Sequence, residues 1–212
     1  MSEMRFLIFT IVALSIVGCS SDKTPAWIRG ASKQGNKWGH YSGYVEARWE
    51  NDGRTMTLLS ELRYSDPQGV IWVAPAGSVV DGASIPRSLW SFMGGPFEGR
   101  YRNASVLHDV SYDQKTRPHE VCDQMFYNAM RCSGVSAVDA GMMYYALRKF
   151  GHHWKAPKAE PVKVGEDIVA RGEEVRRATP VSQGDLNATR DWIRTSDPSL
   201  QQINQRADAE SH

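Results

Sequence analysis

The sequence predicts an α+β domain in which a small antiparallel β-meander is followed by a three-helix core. Short apolar runs separated by turn residues fill positions 44–80, whereas positions 101–151 carry the apolar spacing of helices. Beyond residue 154 the composition becomes polar, which predicts a weakly structured helical or disordered C-terminal tail. The α+β domain is therefore expected at residues 42–154 and the tail at 155–212.

Two turns divide the β-region, at Asn51-Asp52-Gly53 and at Asp66-Pro67-Gln68-Gly69. An Asn-Asp-Gly sequence between apolar runs is a strong hairpin signal, and Asp-Pro-x-Gly is typical of a tight turn. Both turns connect neighbouring strands, so the sheet is expected to be antiparallel. The strands are expected at residues 44–49, 56–64, 70–73 and 78–80.

The helical region contains three helices separated by short connections. The first is expected at 101 to about 114, and the second from Pro118 to about Cys132. Ser136 begins a capping pattern for the third helix, which ends near Gly151 and is apolar nearly all round. The third helix is therefore expected to be the most buried. The tail shows three weaker helical pieces, at 166–178, 185–195 and 197–208.

The N-terminus carries the pattern of a secreted chain. Arg5 precedes an apolar run at 6–14, which is too short to span a bilayer of about 20 apolar residues. The run ends at Cys19 in a sequence that resembles a bacterial lipobox. The resemblance implies a signal peptide at 1–18, palmitate on a lipidated Cys19, a tether at 19–41, and an outer-membrane lipoprotein facing the periplasm. The alternative is a plain signal peptide with an incidental cysteine.

Charge and cysteine content limit the possible partners. Lys and Arg number 25 and Asp and Glu 24, a balance that argues against nucleic-acid binding. Cys122 and Cys132 lie on one predicted helix, where ten residues span about 15 Å. A disulfide does not reach across that distance, so both are expected to be free, buried thiols.

Three ionisable residues, His108, Asp109 and Asp123, lie on the first two predicted helices. A short connection makes these helices antiparallel, and His108 and Asp123 lie at matching distances from it. Asp123 is therefore expected to orient the imidazole of His108, whose other nitrogen takes a proton from water. The alternative is a buried structural His–Asp hydrogen bond.

The remaining carboxylates suggest a cation site. Asp109 is rotated by about 100° from His108 and is expected to face the glycine-containing turn at Asp81 or the loop at Gly94. Asp109 and Asp81, with carbonyl oxygens of such a turn, are the candidate ligands of a hard cation such as Ca²⁺. Ser84 is not expected to be a nucleophile, because no strand–turn–helix elbow surrounds it.

The span from about residue 64 to 154 resembles domain of unknown function 1353, a family of bacteria and phages that implies no established activity. The matching stretches are Asp81-Gly82-Ala83-Ser84-Ile85-Pro86-Arg87, Gly99-Arg100-Tyr101, Leu107-His108-Asp109, Ala129-Met130 and Phe150-Gly151.

His108-Asp109-x-x-Tyr112 followed by Asp123-x-x-Phe126 is similar to the secreted phospholipase A2 pattern. This resemblance implies that His108 is the general base, Asp123 its partner, Tyr112 a supporting hydrogen-bond donor and Asp109 a calcium ligand. Leu107 stands where many such enzymes have cysteine, so their flanking disulfide is absent.

The sequence thus predicts a lipoprotein, anchored in the membrane through Cys19, with a phospholipase A2-like, cation-assisted acyl-ester hydrolase site acting on lipid. The alternative is a non-enzymatic, phage-derived envelope lipoprotein that binds a surface or cell-wall partner, with Trp192 and Ile193 of the tail taking part in binding.

Overall fold

A computed structural model describes residues 37–82, 84–85, 89–90, 94–155, 163–164, 167–168, 173–176 and 182–209. Within these ranges antiparallel strands are followed by helices, which confirms the predicted α+β class. The predicted signal peptide, Cys19 and most of the tether lie outside the described residues. No helix of the described part has the length and apolar character needed to cross a bilayer.

The strands of the N-terminal half form two three-stranded antiparallel sheets. One has the order β1-β4-β5 and the other the order β2-β3-β6. The strands are β1 His40–Ser42, β2 Ala47–Trp49, β3 Met56–Leu58, β4 Leu62–Ser65, β5 Ile71–Ala74 and β6 Val79–Val80.

The prediction of one strand over 56–64 is wrong, because β3 and β4 are separate strands in different sheets. Met56, Leu58, Leu62 and Tyr64 are all buried, so the alternation keeps its phase across the interruption. The alternation of buried and exposed residues therefore looks continuous in the sequence, even though the chain passes from one sheet to the other between β3 and β4.

Both predicted turns are present. The turn at 51–53 joins β2 to β3, with Trp49 opposite Met56, and Gly53 has a positive φ of 67°. In the turn at 66–69, the N–H of Gly69 donates to the carbonyl of Asp66 at 2.9 Å. These turns fix the antiparallel registers that place Leu62 and Tyr64 of β4 in the core.

The three core helices agree with prediction. A short 3₁₀ turn at Gly99–Tyr101 leads into α1, Arg102–Gln114, which is followed by α2, His119–Cys132, and α3, Ala137–Phe150. Ser136 caps α3 by accepting a hydrogen bond from the N–H of Asp139 at 3.0 Å. α3 is buried along almost its whole length, as its apolar composition predicts.

Part of the tail covers α3. Two helices, α4 at Gln183–Ser196 and α5 at Leu200–Ala209, pack on α3 and confirm the helical pieces predicted at 185–195 and 197–208. Ile193 and Ile203 meet α3 at Gly141, where an added Cβ would lie 3.4 Å from both side chains. These two helices are therefore packed on the core, with Ile193 buried. The part of Trp192 and Ile193 in binding a partner stays a prediction.

The helix predicted at 166–178 is wrong, because the described residues there are strands. Of the further strands in the described part of the chain, β7 His153–Lys155 and β8 Lys163–Val164 precede this range, and β9 Asp167–Ile168 and β10 Glu173–Arg176 lie within it. β10 pairs with β7 and β8 pairs with β9, both antiparallel.

The two thiols are free and buried, as predicted. Burial raises the pKa of the Cys132 thiol to about 11 and raises that of Cys122 further above its usual value. Both side chains are therefore protonated in the folded protein at neutral pH.

Candidate functional site

The site forms where α1 and α2 pack against each other. The two helices are antiparallel neighbours joined by residues 115–118, which brings His108 of α1 opposite Asp123 of α2. His108 Nε2 lies 3.1 Å from Asp123 Oδ1. The predicted contact between these two side chains is therefore present.

The imidazole of His108 is enclosed by aromatic rings. The ring centroid of Tyr112 lies 4.1 Å away and that of Phe126 lies 4.6 Å away. His108 and Asp123 both have 0% exposed surface. The ring is therefore closed to solvent in this arrangement, and the role of His108 in activating a water molecule stays a prediction.

Tyr112 completes the hydrogen bonding of Asp123 Oδ1. Its hydroxyl donates to that oxygen at 2.5 Å, which fits the supporting role predicted for it. Burial, together with the negative charge of Asp123, raises the pKa of Tyr112 well above its usual value, so the hydroxyl stays a donor. Asp123 Oδ2 is buried and has no hydrogen-bond partner among the described residues.

Ser84 occupies the other side of the imidazole. Its Oγ lies 3.1 Å from His108 Nδ1, where water was predicted. A carboxylate only accepts hydrogen bonds, so Nε2 carries the hydrogen toward Asp123 and Nδ1 accepts from the Ser84 hydroxyl. No nucleophilic role was expected for Ser84, because no strand–turn–helix elbow surrounds it. The signal for such a role is the glycine-containing turn at 81–84, whose N–H groups donate to Asp109 and bring the serine to α1.

Asp109 faces the turn at 81–84, one of the two positions predicted for it. Its Oδ2 accepts from the backbone N–H groups of Asp81 and Gly82 at 2.9 and 3.0 Å, and Oδ1 accepts from that of Ser84 at 3.2 Å. We refer to Asp109 and these three N–H groups as the turn clip. The clip presents N–H donors to the carboxylate, not the carbonyl oxygens that a cation site was predicted to use.

These residues do not fit a calcium ion as they stand. Asp109 is engaged by three donors, and Asp81 Oδ2 forms an ion pair with Arg54 at 2.6 Å. Within the described ranges no group of three or more His, Cys, Asp or Glu side chains is placed to hold a metal. The metal role of Asp109 and Asp81 stays a prediction, and no chemical step is derived through it.

Gly82 sets the path of the turn. Its φ is +71°, and an added Cβ would lie 2.2 and 2.5 Å from two ring carbons of Pro96. The backbone therefore passes so close to Pro96 that only glycine fits there without a shift. Gly82 thus lies against Pro96 while its N–H donates to Asp109.

A second buried polar cluster adjoins the site at the start of α2. Arg148 Nη1 lies 3.2 Å from His119 Nε2, and His119 Nδ1 lies 3.3 Å from the carbonyl of Trp154. Burial, with the positive charge of Arg148, lowers the pKa of His119. His119 is therefore neutral at pH 7 and accepts from Arg148 of α3. Its Nδ1 faces both the carbonyl of Trp154 in β7 and Glu120 Oε2, which lies 3.2 Å away.

The chemistry that the site could perform depends on one chain of hydrogen bonds, which runs from Ser84 through His108 to Asp123. A hydroxyl on an imidazole that is oriented by a carboxylate is the arrangement that activates a serine as a nucleophile. Ser84 retains 7% exposure, whereas the other two residues have none. Any reactant must therefore approach from the serine side.

Comparison with known proteins places this site inside a family match. Residues 56–147 match the model of the family described as "Protein of unknown function (DUF1353)". "Uncharacterized protein y4jT" of Sinorhizobium fredii is 44% identical over 97 residues, covering 46% of this chain and 29% of that protein. "Uncharacterized protein y4iH" of the same organism is 35% identical over 103 residues, covering 49% and 43%.

The chain thus spans less than half the length of these two curated relatives, and no solved structure matches it. The matched residues include His108, Asp109 and Asp123 as well as the turn at 81–84.

Proposed function

We propose that the protein is an acyl-ester hydrolase in which Ser84 is the nucleophile. The family whose model matches residues 56–147 has a description that names no activity. The observation that carries the proposal is the line of hydrogen bonds Ser84–His108–Asp123, with both contacts of the imidazole at 3.1 Å. The likeness to the phospholipase A2 pattern supports a lipid ester as the substrate class. The proposed mechanism differs, because Ser84 attacks the ester and no calcium ion takes part.

The imidazole is set up as a base for Ser84. Asp123 holds the hydrogen of His108 on Nε2, so the lone pair of Nδ1 faces the Ser84 hydroxyl. Tyr112 adds a second donor to Asp123 Oδ1 and fixes the carboxylate. Before an ester is bound, the complete burial of the pair keeps bulk water from competing for either nitrogen.

In the proposed reaction His108 Nδ1 carries each proton between Ser84, the leaving alcohol and water. The Ser84 hydroxyl transfers its proton to His108 Nδ1 while Oγ forms a bond to the acyl carbon. The ester C–O bond then breaks, and the departing alcohol oxygen takes the proton from Nδ1. Once the alcohol has left, a water molecule that enters by the same path on the serine side is deprotonated by Nδ1 and attacks the acyl carbon. Ser84 Oγ then leaves with that proton to give the free acid.

A fluorophosphonate probe tests this chemistry, because it reacts covalently with an activated serine. We expect the wild-type protein to be labelled, with the adduct located on Ser84 by peptide mass spectrometry. Ser84→Ala and His108→Gln are both expected to abolish labelling, the first by removing the nucleophile and the second by removing the base. Hydrolysis of phospholipid vesicles should be lost in the same variants and should survive chelation of calcium.

Ser196→Ala is the matched control, since Ser196 is an exposed serine at the end of α4. It should be labelled and should hydrolyse ester as the wild type does. If folded wild-type protein takes up no probe on Ser84 under conditions that label a known serine hydrolase, the hydrolase proposal is wrong.

A non-enzymatic role is the second candidate, favoured by the complete burial of His108 and Asp123. In that case the hydrogen bonds hold α1, α2 and the turn at 81–84 together in an envelope protein that binds a surface or cell-wall partner. It predicts no labelling of Ser84 in the wild type, together with a loss of stability in His108→Gln.

We also propose that the chain is a lipoprotein attached to the outer membrane through Cys19, supported by Arg5, the apolar run at 6–14 and the lipobox-like sequence. Expressed in a Gram-negative host with an alkynyl palmitate analogue, the wild type is expected to incorporate the label and to sediment with outer membranes. Cys19→Ala should incorporate none and should leave the membrane fraction. Equal incorporation by both proteins would contradict the assignment.

A further inference from the structure

The backbone of Ser84 is hydrogen-bonded to the side chain of Asp109, a residue that does not touch the Ser84 hydroxyl. The backbone N–H of Ser84 donates to Asp109 Oδ1, and the N–H groups of Asp81 and Gly82 donate to Oδ2. Both oxygens of one carboxylate are thus used to hold one turn. Hydrogen bonds to a charged acceptor are stronger than those between neutral groups, so the turn clip is a firm attachment.

Asp109 and His108 are adjacent on α1, which couples the turn to the base. Because the two side chains leave the helix about 100° apart, His108 reaches Asp123 of α2 while Asp109 reaches the turn. The same helix therefore fixes the imidazole and the backbone that carries the hydroxyl. In this arrangement Ser84 Oγ lies 3.1 Å from His108 Nδ1.

We propose that Asp109 is a positioning residue that keeps Ser84 on His108 through the turn clip, and that it does so without a metal ion. The inference rests on the proposed function for its chemical meaning, but the positioning itself is measurable without any reaction. It gives Asp109 a different role from the calcium ligand that the phospholipase A2 likeness implies.

Asp109→Asn tests the role directly, because the amide replaces one acceptor oxygen with an NH₂ group that faces N–H donors. The first readout is the ¹⁵N chemical shift of His108 Nδ1, which reports whether that nitrogen accepts a hydrogen bond. Ser84→Ala, which lacks the donor, supplies the reference. We expect the Nδ1 signal of Asp109→Asn to move to the position seen in Ser84→Ala, and fluorophosphonate labelling of Ser84 to slow by about tenfold or more.

Asp113→Asn is the matched control, since Asp113 is an exposed aspartate on the same helix. It should leave the Nδ1 signal and the labelling rate as in the wild type. Adding calcium chloride or EGTA to the wild type should change neither quantity. If Asp109→Asn does not fold, Gly82→Ala supplies the same comparison, because its Cβ displaces the turn against Pro96.

The outcomes separate the two proposals. A shifted Nδ1 signal in Asp109→Asn, with no labelling of the wild type, supports the positioning role and contradicts the hydrolase. An unshifted Nδ1 signal in folded Asp109→Asn overturns the positioning role, whatever the labelling shows. A wild-type Nδ1 signal that requires calcium overturns the metal-free part of the inference.

Discussion

Replacing Asp123 by alanine is expected to lower the free energy of unfolding by about 2–6 kcal/mol, since each of two buried donors left without a partner costs about 1–3 kcal/mol. The carboxylate is fully buried and accepts from both His108 Nε2 and the Tyr112 hydroxyl. Without it, two buried donors lose their partner while water has no access to replace it. Urea unfolding followed by circular dichroism measures the change.

Asp191→Ala is the control for that measurement. Asp191 pairs with Arg194 at 2.8 Å, but both side chains are about two-thirds exposed. Such surface pairs contribute about 0–1 kcal/mol, so this variant should unfold close to the wild type. A loss of less than about 1 kcal/mol in Asp123→Ala would show that the buried network does not stabilise the fold.

The substitution Gly82→Ala is expected to cost about 2–5 kcal/mol of stability and to displace Ser84 from His108. Two effects add: the left-handed backbone, with φ at +71°, disfavours any side chain, and the new Cβ would lie 2.2 Å from Pro96 Cγ. The turn must move to relieve the overlap. Thermal or urea unfolding measures the cost, and the labelling rate of Ser84 reports the displacement.

Gly77→Ala separates the two effects. Gly77 has a similar φ of +84°, but nothing lies within 4 Å of an added Cβ. Its cost should therefore be only that of the backbone, about 1–2 kcal/mol, with labelling of Ser84 unchanged. Equal losses in the two variants would show that contact with Pro96 does not hold the turn.

Much of the helical core was predictable because its signals are local. Capping by Ser136 and the apolar faces of α1 to α3 depend on residues a few positions apart, and those helices appear at the expected places. The equal distances of His108 and Asp123 from a short connection likewise predicted their contact. Each of these inferences needs only helix geometry.

The assignment of strands to two separate sheets was harder to predict, because pairing between strands that are distant in the sequence leaves little local signal. Leu58 and Leu62 keep one alternation phase although β3 and β4 pair in different sheets. The role of the tail was hidden for a related reason. α4 and α5 are polar overall, and they pack against α3 at Gly141 through a few apolar residues such as Ile193 and Ile203.

Ser84 is the site residue whose role was not predicted from the sequence. Its partner, His108, lies 24 positions later, and the Asp109 carboxylate that joins their elements was assigned to a cation instead. A carboxylate next to a glycine-containing turn is compatible with both roles. Only the direction of the backbone decides between them, since N–H groups attract the anion and carbonyl groups attract a cation.

The two buried thiols have a consequence for the recovery of the protein after denaturation. Cys122 and Cys132 are protonated and inert within α2, but an unfolded chain exposes both in a flexible segment. Air oxidation would then join them across about ten residues, although the helix keeps them about 15 Å apart. The cross-linked chain is unable to rebuild α2, so denaturation without a reductant traps the molecule, whereas dithiothreitol keeps it reversible.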